Sequence, residues 1–236
     1  QFRCHAAEQT AIRNRPMQPG PDKVIECPVC EALARVFTLR SGNTIGARRW
    51  TDGKMIAPML PRPPAITKCT ECGHYYWLSD ADVIGEIPSF GREARKVPRQ
   101  WRAARRVQQL SEAEHLEAIR KGLADRKERE SHLRVLAWWS CNDPLRSSGD
   151  SPILQGATAE RRSAEATTNL ERLLELLDAT DPDKRIMKAE ILRELGRFAE
   201  ALRLLEFDFP GEYAGVVSLI GELAQEKDTV VREIPE

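Results

Sequence analysis

The chain has 236 residues, 41% of them hydrophobic and 31% charged, with 36 basic and 36 acidic side chains. No run approaches the ~18–20 apolar residues of a membrane-spanning helix, and the first thirty residues hold no apolar stretch of the signal-peptide kind. These features point to a cytoplasmic protein long enough for two domains, in which paired cysteines serve metal or redox chemistry rather than structural disulfides.

The zero net charge conceals a polarity along the chain. Residues 1–107 carry 18 Lys/Arg against 10 Asp/Glu, residues 108–158 carry 7 against 8, and residues 159–236 carry 11 against 18. A basic front and an acidic back imply either two surfaces with different partners or one half that neutralises the other.

In chain order, residues 1–24 lack hydrophobic periodicity and are rich in Arg, Pro and Gln, which predicts a flexible leader. The sequence begins at Gln1, and Met17, just ahead of "QPGPDKVIECPVC", is the expected functional start; Cys4 and His5 then carry little weight. Residues 25–90 read as a small β domain. "RVFTLR" alternates like a half-buried strand. In "RRWTDGKMIAPML", Asp52-Gly53 sets a hairpin turn between two β-capable runs. The prolines of "PMLPRPPAI" exclude helix and imply an extended crossing. "ITKCTECGHYYWL" reads as a knuckle running into an aromatic strand, and Gly73 suits the left-handed turn that a knuckle requires.

Residues 91–110 are expected to be a basic linker or helix start. Within 91–107 stand seven Arg/Lys, one Glu and Trp101, a footprint either of nucleic-acid contact or of a solvated strap for the acidic half. Residues 111–148 have helical spacing, opened by the capping-box pair Ser111 and Glu114. In that segment Trp138 and Trp139 point to different faces, Cys141 reads as an inert thiol, and Asn142-Asp143-Pro144 as a helix stop. Residues 149–158 form a loop, residues 159–228 a helical domain, and residues 229–236 a C-terminal tail. Gly196 separates two of the helices.

The cysteines carry the sharpest signal. Cys27 and Cys30 form one C-x2-C pair and Cys69 and Cys72 a second, with 38 residues between the pairs. A tight x2 turn brings both sulfurs to one metal and aims backbone N–H groups at them, so two knuckles supply the four corners that a structural zinc prefers. The predicted hairpin accounts for most of the intervening residues, which makes the segment a zinc ribbon. Thiol redox chemistry and an iron–sulfur centre are the competing readings. His74 is a neighbour rather than a ligand, because four thiols already complete the set. Tyr75 and Trp77 share a strand face and are expected to pack over the hairpin and Trp50, or else to meet a nucleobase or a partner.

"CPVC", "TLRSGNTIGARRWTDGKMIAPMLP", "CTECGHYYWL" and "LAWWSCNDP" together resemble a group of uncharacterised bacterial proteins with an N-terminal zinc ribbon and a tetratricopeptide-like C-terminal region. The resemblance spans most of residues 25–225. It implies that architecture and a binding role, and it transfers no catalytic residue. "AEILRELGRFAEALRLLE" is itself similar to the centre of a tetratricopeptide repeat, with Gly196 ending one helix and Phe198 opening the next. Leu195, Phe198, Ala201, Leu202 and Leu205 form the expected core stripe, with Arg193, Arg197 and Arg203 on the solvent face. Only one clear copy is present, so an ordinary helical bundle competes with a short superhelical array.

No Ser/His/Asp order, phosphate-cradling glycine loop or matched carboxylate pair is visible, and His5, His74, His115 and His132 are scattered. No catalytic or cofactor-binding residue stands out, and the chain reads as non-catalytic. The expected fold is α+β: a small β zinc ribbon followed by an all-α, tetratricopeptide-like domain. Cys27, Cys30, Cys69 and Cys72 would hold one structural Zn2+ per chain. The expected role is that of an adaptor or scaffold that takes a protein partner through the helical half. The alternatives are a nucleic-acid-associated ribbon protein using residues 91–107 and, more weakly, a thiol redox protein.

Overall fold

The computed structural model describes residues 16–147 and 162–235. The expected loop at 149–158 and the first fifteen residues of the leader, with Cys4 and His5, lie outside the described residues. Within them the chain is mixed α+β and divides into two units. A cysteine unit comprises residues 16–47 and 57–123. A helical unit comprises Arg48–Ile56 together with residues 124–147 and 162–235.

The strands run β1 (Gln18–Pro19), β2 (Asp22–Glu26), β3 (Leu33–Val36), β4 (Leu39–Ser41), β5 (Arg48–Trp50), β6 (Met55–Ile56), β7 (Ile66–Lys68), β8 (Tyr75–Trp77) and β9 (Val83–Ile87). There follow α1 (Glu93–Lys96), α2 (Arg99–Ala103), β10 (Arg105–Arg106) and α3 (Glu112–Ala118). The main sheet of the cysteine unit has the order β10-β3-β2-β9, with β2 antiparallel to both neighbours and β10 parallel to β3. Successive Val24 and Ile25 are both buried, as in a strand covered on two faces. The β1–β4 and β7–β8 pairs form two further antiparallel sheets of the same unit.

Two expectations change here. Residues 16–24 are not a flexible leader, because β1 pairs with β4 and β2 is an inner strand of the main sheet. Their partners lie later in the chain, where local periodicity cannot show them. Nor are residues 91–110 a linker. The Trp101 ring covers Gly85 of β9 so closely that a Cβ there would come within 2.0 Å of Trp101 Cη2. Arg35 Nε donates to the Ala104 carbonyl at 2.8 Å, and Val107 N donates to the Arg35 carbonyl at 2.9 Å. The capping box at Ser111 and Glu114 forms as expected and opens α3.

The helical unit is built from α4 (Lys127–Ser147), α5 (Ala164–Leu176), α6 (Pro182–Glu194), α7 (Phe198–Leu205), α8 (Ala214–Gln225) and the short strand β11 (Glu233–Ile234). Ser163 and Asp181 cap α5 and α6 by accepting from Ala166 N and Lys184 N. Gly196 has φ +74°, and its neighbours close α6 with N–H bonds from Arg197 to Leu192 O and from Gly196 to Arg193 O, a Schellman turn. Trp138, Leu170, Leu173, Ile186, Ile191, Tyr213 and Ile220 form the core.

Of the expected stripe, Ala201 is fully buried, while Leu195, Phe198, Leu202 and Leu205 are half-buried. Arg193 departs from expectation. It is buried and bonded, whereas Arg197 and Arg203 are exposed. The helix also passes through Asn142-Asp143-Pro144 to Ser147, so these residues are not a stop.

The hairpin β5–β6 has its expected turn, with Gly53 at φ +79°, but it belongs to the helical unit. There β11, from the expected tail, pairs antiparallel with β5, Glu233 opposite Trp50, to give the order β11-β5-β6. Thr51 N donates to Arg232 O at 2.8 Å and Arg232 N to Thr51 Oγ1 at 3.0 Å. The partner strand lies at the far end of the sequence, beyond the range of any local signal. No helix among the described residues is long and apolar enough to cross a membrane.

Candidate metal centre

The two knuckles have the same backbone construction. In the first, Cys27 N donates to Ala32 O at 3.0 Å and Glu31 N to Cys27 O at 3.0 Å. In the second, Cys69 N donates to His74 O at 2.8 Å and Gly73 N to Cys69 O at 3.0 Å. The residue after each second cysteine turns left-handed, Glu31 at φ +59° and Gly73 at φ +70°. Gly73 takes that conformation freely; Glu31 carries a Cβ into it, at a cost of about 1–2 kcal/mol.

Two matched turns place the four sulfurs within 4.8 Å of one another. Cys27 Sγ stands 3.7 Å from Cys72 Sγ, and Cys30 Sγ stands 3.6 Å from Cys69 Sγ, so none of the four is in a disulfide. Cys27 and Cys69 are buried, and Cys30 and Cys72 are exposed. The four expected residues are thus brought together, and the group can hold a metal ion.

The electrostatics follow from the same construction. Burial pushes the Cys69 thiol up, but the backbone N–H groups of Cys72 and Glu71 favour the thiolate and bring it down to about 7; Glu71 N lies 3.4 Å from Cys69 Sγ. At Cys30 the Ala32 N–H pulls downward, yet Cys72 and the other crowded sulfurs, with burial, push the thiol up to about 12. Four sulfurs this close cannot all ionise without a cation among them. That is the electrostatic counterpart of a metal site.

Tyr76 packs against the buried cysteines with Ile25 and Val36. Its hydroxyl is pushed up to about 12 by burial and by the cysteines. Tyr75 donates to Glu117 Oε2 at 2.7 Å and Trp77 Nε1 to Leu123 O at 3.1 Å, so all three rings of this strand are buried within the cysteine unit. Trp50, the expected packing partner of Tyr75 and Trp77, belongs to the helical unit. His74 is exposed and contributes its backbone carbonyl.

A second constellation joins residues that no local motif connects. In the helical unit, Asp52 accepts from Arg146 Nη2 and from Asn142 Nδ2, the latter at 3.0 Å. The same Asn142 amide reaches Glu194 Oε1 at 3.0 Å. Glu194 also accepts from Trp138 Nε1 at 2.9 Å and from Arg162 Nη2 at 2.6 Å. Trp139 Nε1 donates to the Asp52 carbonyl at 3.0 Å. Trp138 is buried in the core and Trp139, half-buried, packs against that same core, so the two rings do not divide between separate surfaces as their spacing implied. Cys141 is half-buried, with Arg162 Nη1 3.8 Å from its sulfur.

Burial raises both carboxylates; Glu194 is pushed up to about 7, against the pull of Arg162. Among the described residues, Trp50 Nε1, Asn142 Oδ1 and Arg146 Nη1 are buried without a hydrogen-bond partner, so the described groups do not close the network. "WTDG" and "WWSCNDP" hinted at this site only by their concentration of Trp beside Asn and Asp.

Comparison of the chain with protein families, with curated proteins and with solved structures finds no match.

Proposed function

We propose that this is a zinc-held interaction protein. Cys27, Cys30, Cys69 and Cys72 bind one structural Zn2+ per chain, and the helical unit receives a protein partner. The observation that carries the metal assignment is the pair of matched knuckles. Sulfurs bound at about 2.3 Å around a tetrahedral ion stand about 3.8 Å apart. The close pairs here stand at 3.6 and 3.7 Å. An iron–sulfur cluster would place its own irons and sulfides between the thiolates and spread them further. When bound, zinc cross-links the two knuckles and stabilises the fold of a unit whose cysteine-side core is small. Four protein ligands leave no open coordination position, which favours a structural over a catalytic ion.

The partner role rests on the helix–Gly196–helix segment, its likeness to a tetratricopeptide centre and the buried Ala201 at the helix contact. The resemblance to zinc-ribbon proteins with such a region points the same way.

Elemental analysis of purified protein should find about one equivalent of zinc, and Cys69→Ser should remove it. The variant should lose amide-exchange protection in β2, β3, β7 and β8 while α5 to α8 keep theirs. Full protection of these strands in metal-free protein would overturn the assignment.

A further inference from the structure

The basic stretch turns out to be an anchored surface. Of its seven Arg/Lys, Lys96 is paired with Glu93 at 2.7 Å and Arg106 with Asp22 at 3.2 Å. The other five, Arg92, Arg95, Arg99, Arg102 and Arg105, are all exposed, and none forms an ion pair with another described residue. Arg99, Arg102 and Arg105 are displayed on α2 and β10, which Trp101 on Gly85, Arg35 on Ala104 and the β10–β3 pairing hold against the sheet. Arg95 lies on α1 and Arg92 just before it, three residues past Ser89, whose hydroxyl donates to the Gly20 carbonyl. Just before them stands Phe90, 75% exposed.

Five like charges within fourteen residues repel one another, and a polyanion relieves that repulsion. Because the backbone that carries Arg99, Arg102 and Arg105 is already fixed, little ordering entropy opposes their binding. All five are Arg, whose planar fork matches phosphate oxygens better than an ammonium does. The lone exposed ring beside them has no charge to offer, but it can stack on a base. The helices α1 and α2 are only four and five residues long, too short to enter a duplex groove as a reading element.

We infer that residues 90–105 bind single-stranded nucleic acid, with the five arginines on its phosphates and Phe90 stacked on a base. This goes beyond the zinc and adaptor reading and depends on neither the helical unit's partner nor the metal's identity.

The test is fluorescence anisotropy with labelled oligo-uridine and oligo-thymidine of about fifteen nucleotides, long enough to cover a groove-sized site of ~4–16 nucleotides. Log K should fall against log salt with a slope of about −3.5, from ~0.7 per phosphate neutralised. Arg99→Ala or Arg102→Ala should reduce the slope by about 0.7 each. Phe90→Ala should weaken binding roughly tenfold, within the range of one base–aromatic stack, and leave the slope unchanged. Zinc content and circular dichroism, unchanged in these exposed-site variants, exclude misfolding. Three results would overturn the inference: no binding at low salt, affinity untouched by the arginine variants, or a polyglutamate of equal charge that binds as well and ignores Phe90. Equal affinity for a duplex of the same length would overturn the single-strand assignment.

Discussion

Replacing Arg193 by Ala tests whether the charges buried in the helical unit are structural. The side chains of Arg193 and Glu190 are both 0% exposed. Arg193 Nε reaches Glu190 Oε2 at 2.8 Å and Nη2 reaches Glu190 Oε1 at 2.6 Å, a two-pronged pairing. Two further hydrogens go to the carbonyls of Val230, at 2.9 Å, and Asp228. One guanidinium thus ties α6 to the segment that leads into β11. Alanine would leave a buried carboxylate uncompensated and two carbonyls without their donor. Breaking such a pair from one side costs about 3–5 kcal/mol. Against a total stability of ~5–15 kcal/mol, that is a large share. Urea unfolding followed at 222 nm, where the helices dominate the signal, reads the loss directly. Arg197→Ala and Arg203→Ala, at exposed positions, should shift stability by less than about 0.5 kcal/mol. Replacing both partners, Arg193→Met with Glu190→Leu, should recover most of the loss because no lone charge remains. An Arg193→Ala protein within about 0.5 kcal/mol of wild type would refute the reasoning.

Gly73→Ala adds a Cβ with only the Lys68 side chain near, at 4.0 Å, so its cost is the left-handed backbone alone, about 1–2 kcal/mol. A competition titration against a chelator should show metal affinity falling by a comparable amount, and unchanged affinity would contradict the knuckle geometry. Glu194, pushed up to about 7 by burial from an ordinary 4.5, contributes stability that is full below pH 4.5 and lost as pH rises through 7. Glu194→Gln should therefore flatten the stability profile between those values, with a residual slope from Asp52, also raised by burial. A variant profile as steep as that of wild type would assign the slope elsewhere.

What was legible in the sequence was local. The x2 spacing, Gly73 and the aromatic strand made the four-sulfur cluster legible residue by residue, because a knuckle is complete within six positions. The Asp52-Gly53 hairpin, the Ser111–Glu114 box and the Gly196 turn are equally self-contained. The misreadings involve contacts between distant residues. Gly85 gives no sign that Trp101 will cover it, and "REARKVPRQW" without that slot is indistinguishable from a solvated linker. Arg193 sits at a spacing that a bare helix would turn to water, and only the returning segment at 228–230 buries it. Asn142 and Asp143 look like a helix end until Asp52 is known to hold Asn142 and Arg146. Glu31 is a different failure: nothing in its chemistry announces a positive φ, and only the matching hydrogen bonds reveal it.

The placement of β5–β6 bears on how strongly the metal and the helices can influence one another. The hairpin lies in the middle of the 38 residues between Cys30 and Cys69, yet it is folded into the helical unit. Closing the metal site therefore closes a loop whose centre is already pinned elsewhere. Loop-closure entropy grows only as the logarithm of length, about 0.6 kcal/mol for each doubling. Pinning the hairpin splits the loop into arms of 17 and 12 residues, at 31–47 and 57–68, the longer a little under half of the full span and the shorter a little under a third. The coupling available through connectivity alone is thus on the order of 0.6–1 kcal/mol. That is small beside the roughly 10–16 kcal/mol of apparent binding energy that a structural zinc can contribute. Chain connection by itself cannot make the helices depend on the metal, which is why Cys69→Ser is expected to disorder the cysteine strands and spare α5 to α8. If α5 to α8 lost protection together with those strands, the units would be joined by energy that the three peptide crossings among the described residues, at 47–48, 56–57 and 123–124, do not supply.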